Sequence, residues 1–179
     1  AAAVQHPLVL LDLLRQPFGD LLPEFHHHDA IHQTHHEVHV VLEASPFYAE
    51  MGGQVGDCGR IRIGDTELFI ADTTKDASGR FLHYVDLPDG FEAITLERGA
   101  TVTVSIDVHR RRQIQRHHTA THILHWALRK VLGTHVRQAG SYVGPDRLRF
   151  DFAHFEAVTP EQIAEIESLC NDKTLLNDE

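Results

Sequence analysis

Near residue 108 this chain changes its pattern, and the change divides it into two kinds of structure. Residues 37–107 carry short apolar alternations separated by turn residues such as Gly64-Asp65 and Pro88-Asp89-Gly90. Side chains of a strand point alternately to two faces, so such runs read as strands. The expected strands are 37–43, 59–63, 67–72, 80–85 and 101–107, and short strands at this spacing suggest a small barrel. From Arg110 to Leu132 the apolar residues Ile123, Leu124, Ala127, Leu128 and Val131 instead line one helix face, and Gly133 is placed to stop the helix. The histidines inside it are expected to break or bend it. Residues 136–143 and 147–152 read as a hairpin around Gly144-Pro145-Asp146. Thr159-Pro160-Glu161-Gln162 is a capping box with proline at the first helical position, so a second helix starts at 160.

The expected fold class is therefore α+β. A helical lead-in from an upstream domain occupies 1–36, with Pro7, Pro17 and Pro23 as punctuation within its first 25 residues. A β-barrel subdomain covers 37–107 and an α+β subdomain 108–179, the latter expected to continue past Glu179. The start at Ala1 rather than Met suggests an excised piece.

Composition narrows the setting. Cys58 and Cys170 are too few and too far apart for a disulfide framework, so a reducing, cytoplasmic environment is expected. The apolar run Leu8–Leu14 contains Asp12 and is too short for a membrane span or a signal peptide core. The net charge of −10 argues against a nucleic-acid partner until its distribution is considered. Residues 110–149 carry nine Lys and Arg against the single acid Asp146, a block of +8 that leaves −18 for the remainder. Such a block steers a polyanion locally, or is merely a solvated helix face.

His118-Thr119-Ala120-Thr121-His122 carries the chemistry. Two imidazoles at i and i+4 share a helix face and reach one metal ion, and His125 follows near that face. A hydrogen-bonded core pair and a surface coincidence are the alternatives. A zinc peptidase needs glutamate directly after the first histidine, where Thr119 stands. Zinc wants four ligands, or three and a water, and there is no Cys-x-x-x-His pair to complete the set. Seven further histidines lie between 26 and 39, including His26-His27-His28. They read chiefly as surface or strand residues, since His-Glu-Val-His-Val-Val-Leu alternates.

A second motif runs from Ser45-Pro46-Phe47-Tyr48 through Gly52-Gly53-Gln54 to Asp57. Paired glycines allow close approach of a ligand to the backbone, or mark a glycine bulge in a barrel turn. Together with Arg112, Ile114, Arg116, the two histidines, Gln138-Ala-Gly-Ser141 and Asp146–Phe152, this motif resembles the editing domain of alanyl-tRNA synthetase. The similarity spans about 37–170, several separated motifs in one order. Ser45 replaces the usual threonine, His117 the usual asparagine, and the family's later Cys-x-x-x-His is absent.

The resemblance implies a barrel followed by the α+β subdomain shared with threonyl-tRNA synthetase and freestanding editing proteins. It implies zinc on His118 and His122, with the remaining ligands expected beyond residue 179. It implies hydrolysis of tRNA(Ala) carrying serine or glycine, with Thr121 and Gln138 in the pocket. Gly52, Gly53 and Gln54 would line the 3′ adenosine, and Arg110, Arg111, Arg112 and Arg116 would meet acceptor-end phosphates. The parent enzyme attaches alanine to tRNA(Ala) using ATP, and that charging core is not in this chain. The competing expectations are a tRNA-binding module without catalysis, a freestanding deacylase and a metal-storage domain.

Overall fold

The computed structural model describes residues 4–10, 38–87 and 99–176, the side chains of 4–10 excepted. The barrel is built from β1 (Val4–Leu10), β2 (Val38–Leu42), β3 (Gly59–Ile63), β4 (Thr66–Lys75), β5 (Phe81–Asp86) and β6 (Thr101–Ile106). These strands close in the order β1-β2-β5-β4-β3-β6, with every pairing antiparallel. Alternation places Ile61, Leu68, Ile70, Val102 and Val104 inside, with Val40, Leu42, Val85 and Phe47. Arg60 and Arg62 alternate outward on β3, where both pair with Glu67.

Two differences from the sequence expectation have physical causes. Residues 4–10 are not helical: β1 fills the gap between β2 and β6, its backbone pairing with both. Local helix propensity yields to the unpaired strand edges a barrel must close. Residues 11–37, including the histidines from 26 to 36, lie outside the described residues, as does the Pro88-Asp89-Gly90 turn. Strand β4 also runs three residues past its expected end at 72. A bulge between Ile70 and Asp72 shifts its phase, so the pattern breaks although the strand continues. That shift turns Thr73 inward, where its hydroxyl donates to the Asp57 carbonyl at 2.9 Å.

The second layer comprises helix α1 (Val108–Leu132), the hairpin β7 (Arg137–Val143) and β8 (Leu148–Ala153), and helix α2 (Pro160–Leu176). Helix α1 is continuous through all its histidines, without the expected break. Asp107 caps it by accepting from Arg110 N–H at 2.9 Å. Gly133 ends it at φ 114°, donating to the Arg129 carbonyl. Four of the five expected stripe residues face inward: Ala127 and Leu128 are buried, and Leu124 and Val131 pack against them with Leu132, Val136, Phe150, Phe152 and Ile166, while Ile123 is half-buried outside that cluster. Thr159 and Gln162 form the expected reciprocal cap of α2. No helix among the described residues is long and apolar enough to cross a membrane.

Candidate functional site

The two layers meet along the first turns of α1 and at one glycine loop. Asp57 is the hub, and it is only 3% exposed. Its carboxylate accepts from the Tyr48 N–H at 2.7 Å and from the Arg111 guanidinium, which also donates to the Pro46 carbonyl at 2.8 Å. Arg110 donates to the Gly56 carbonyl at 2.7 Å, and Asp107 N–H to the Cys58 carbonyl at 2.9 Å. Burial lowers the pKa of Arg111, which stays charged because a guanidinium starts so high. Arg110 and Arg111 are thus tethers of α1 to the barrel. Both guanidinium groups stay partly exposed, and Arg111 also lines the hollow described below.

The glycine loop crosses to the hairpin. Val143 N–H donates to the Gly53 carbonyl at 2.8 Å, and Val55 N–H to the Val143 carbonyl at 3.1 Å. The Ser141 hydroxyl donates to the Gly52 carbonyl at 3.3 Å. Residues 53–55 so add a short parallel rung beside β7. Gly53 has φ +84°, and a Cβ there would stand 2.4 Å from the Ser141 carbonyl oxygen. Only glycine fits that approach.

This rung carries Gln54 to the histidines. Its Oε1 accepts from His118 Nδ1 at 2.7 Å. Because an amide oxygen only accepts, Nδ1 of His118 carries the proton and Nε2 presents its lone pair. His122 Nε2 lies 3.0 Å from His118 Nε2, with ring centroids 4.9 Å apart. The structure therefore brings together Gln54, His118 and His122 from motifs 64 residues apart. A hollow of about 260 Å³ opens beside Gln54, lined also by Pro46, Phe47, Tyr48, Arg111 and Gln115.

The donor set fits half of a zinc site. A ring nitrogen fixed by a carbonyl partner leaves the other nitrogen ready to ligate, as zinc histidines require. Among the described residues no third Cys, His, Asp or Glu joins the pair. His125 points elsewhere: its ring packs on Phe150 at 5.1 Å, and its buried Nε2 has no hydrogen-bond partner. Cys170 stays with the α1–α2 core, and burial raises its pKa.

The other expected site residues are spread around this centre. Thr121 is buried and donates its hydroxyl proton to the His117 carbonyl at 2.8 Å, so its oxygen can only accept from a ligand. Gln138 is exposed at the start of β7, next to a bulge, opposite Phe152. Arg112 and Arg116 are exposed on α1. Sequence reasoning missed His83, which is fully buried in the barrel. Its Nδ1–H donates to the Val40 carbonyl at 2.8 Å, and its Nε2 accepts from the Ser45 hydroxyl at 2.7 Å. That pair fixes the turn that begins the Pro46-Phe47-Tyr48 wall. The only signal was a histidine at an inward position of an expected strand.

Residues 19–110 match the family described as tRNA synthetases class II (A). The chain is 49% identical over 147 residues to the alanine–tRNA ligase of Opitutus terrae, covering 82% of this chain and 16% of that protein. It is 51% identical over 138 residues to the alanine–tRNA ligases of Methylacidiphilum infernorum and Acetivibrio thermocellus, covering 77% of this chain and 14% and 15% of theirs. The chain spans about one sixth of the length of the curated relatives it matches.

Proposed function

The chain belongs to the class II (A) tRNA synthetase family, alongside alanine–tRNA ligases, and we propose that it is an editing unit for tRNA(Ala). In this reading it hydrolyses the ester that joins a wrong amino acid, serine or glycine, to the tRNA 3′ end. The parent enzyme charges tRNA(Ala) with alanine using ATP. The observation that carries the reading is the Gln54–His118 bond, which joins the glycine loop to the histidine pair at 2.7 Å. The glycine loop, a basic nitrogen pair and an adjoining hollow converge at one point.

The chain's own groups divide the work. The backbone of Gly52 and Gly53 and the amide of Gln54 receive the terminal adenosine. Gln54 holds the His118 ring by accepting from Nδ1, so that Nε2 keeps its lone pair toward the site. His118 and His122 would hold zinc, with further ligands that the described residues do not supply, and the ion would supply a fixed positive charge beside the ester. Thr121 and Gln138 read the amino acid. With its proton committed to His117, Thr121 Oγ1 accepts from a serine hydroxyl that alanine lacks. A site that hydrogen-bonds a substrate hydroxyl discriminates far better than an apolar pocket, by roughly four orders of magnitude. Arg112 and Arg116, exposed and unpaired among the described residues, meet phosphates of the acceptor end. Each such contact releases counterions, so affinity falls with salt.

The test is single-turnover deacylation of seryl-tRNA(Ala), with alanyl-tRNA(Ala) as control, with and without zinc. Selective loss of serine is the expected result. In the full-length ligase, Thr121→Val and Gln138→Ala are each expected to slow it, and unchanged rates refute those roles. One observation favours a second reading, a tRNA-binding module without catalysis: only two metal-binding side chains gather among the described residues. Retained tRNA binding with no hydrolysis in zinc would establish it.

A further inference from the structure

A second hollow lies on α1, and of its lining only Arg116 enters that reading. It encloses about 330 Å³ between Gln113, Arg116 and His117 of α1 and Pro145 and Asp146 of the β7–β8 turn. At 100° per residue, Gln113, Arg116 and His117 share a helix face roughly opposite Arg111, Gln115, His118 and His122. The two hollows therefore flank α1 on different sides.

The walls of the second hollow are held in place. His117 Nδ1–H donates to the Gly144 carbonyl at 2.7 Å, clamping the turn to the helix. The Gly144 N–H bonds the Arg147 carbonyl at 3.0 Å, closing the turn. The Arg147 guanidinium lies over the Tyr142 ring at 5.7 Å, not on the neighbouring Asp146. Arg116 and Asp146 line one hollow, yet neither joins an ion pair among the described residues.

An uncommitted cation and an uncommitted anion across a small polar space suit a ligand with both an anionic part and hydroxyl donors. We propose that this hollow is a ribonucleotide subsite, distinct from the hydrolytic centre, taking one nucleotide of the RNA backbone. Arg116 meets its phosphate, and Asp146 accepts from its 2′-hydroxyl. Gln113 and the lone pair of His117 Nε2 face the remaining edges. A volume near the lower end of small-molecule pockets, about 300 Å³, suits one nucleotide unit. A helix about 10 Å across separates it from the histidine pair, so this nucleotide is not the one carrying the ester. The 2′-hydroxyl is what distinguishes RNA from DNA at such a contact. The proposal rests on the reading that the chain binds tRNA, not on its hydrolytic activity.

The test is the affinity of the 179-residue chain for an RNA hairpin with an acceptor-stem overhang and for its all-deoxy counterpart, at two salt concentrations. Wild type, Asp146→Asn and Arg116→Gln are compared, with circular dichroism as the fold control. Wild type is expected to prefer RNA. Asp146→Asn is expected to weaken RNA binding about tenfold, as for a lost charge-assisted bond, and to leave the deoxy hairpin unchanged. Arg116→Gln is expected to weaken both and to flatten the salt slope by about 0.7–0.9. Equal wild-type affinity for the two hairpins, no binding to either, or RNA binding by Asp146→Asn that is unchanged or tighter overturns the proposal. Absent deacylation with intact 2′-hydroxyl discrimination overturns the editing reading alone and leaves this one standing.

Discussion

Replacing Asp57 with alanine is expected to destabilise the chain by about 3 kcal/mol, and the figure follows from what the carboxylate holds. Asp57 is 3% exposed and accepts from the Tyr48 N–H and the Arg111 guanidinium. Removing it leaves a part-buried backbone donor unpaired, at up to about 1–3 kcal/mol. It also breaks a buried ion pair, which costs about 3–5 kcal/mol where the partner charge stays dry. The Arg111 side chain is 27% exposed and keeps the Pro46 carbonyl, so water repays part of that second cost. A total of about 3 kcal/mol results, a large share of the ~5–15 kcal/mol that holds a domain together. Urea unfolding at neutral pH measures it, and a double-mutant cycle with Arg111→Met isolates the pair. A coupling of about 1–2 kcal/mol is expected, within the range seen for contacting residues. A loss below about 1 kcal/mol together with zero coupling would refute the claim that Asp57 fastens α1 to the barrel.

Three further outcomes are expected. Gly53→Ala should lower seryl-tRNA(Ala) deacylation at least tenfold with the fold retained, because its Cβ would meet the Ser141 carbonyl at 2.4 Å. Gly52→Ala is the control, since it has φ +64° but open space and pays only the left-handed backbone cost of about 1–2 kcal/mol; identical behaviour of the two variants would remove the close-approach argument. Gln54→Ala in the parent ligase should weaken zinc binding about 10–100-fold by freeing the His118 ring, and an unchanged affinity in a chelator competition would show that Gln54 does not orient it. Burial pushes the His83 pKa below 6.5, so the unfolded chain binds the proton more readily. Stability should be complete above pH 6.5 and decline as pH falls below it toward the folded value. Unfolding titrations should show a shallower acid limb in His83→Asn, and an unaltered limb would acquit this histidine.

How much of this was readable in advance depended on whether a signal was local. Helix α1 was legible because Leu124, Ala127, Leu128 and Val131 repeat on one face and Gly133 stops it, all within a few turns. Strands β3 and β6 were legible because Ile61, Val102 and Val104 alternate without interruption. Strand β1 was not, since what decides its state is the pairing of Val4–Pro7 with β6, about a hundred residues away. The end of β4 was missed for a different reason: its bulge breaks alternation while preserving the ladder. The site shows the same division. The i, i+4 spacing of His118 and His122 announced a shared face, but nothing near them in the chain names Gln54 as the partner. Charge was the most misleading local signal. Arg110, Arg111, Arg112 and Arg116 look equivalent in sequence, yet one helix turn points the first two at Gly56 and Asp57 and leaves the other two in solvent. A basic run thus divides by what each guanidinium touches: two partly exposed members tie α1 to the barrel, and two carry no such tie. That division separates Arg110 and Arg111, beside the barrel, from Arg116, which lines a hollow with Asp146 further along α1.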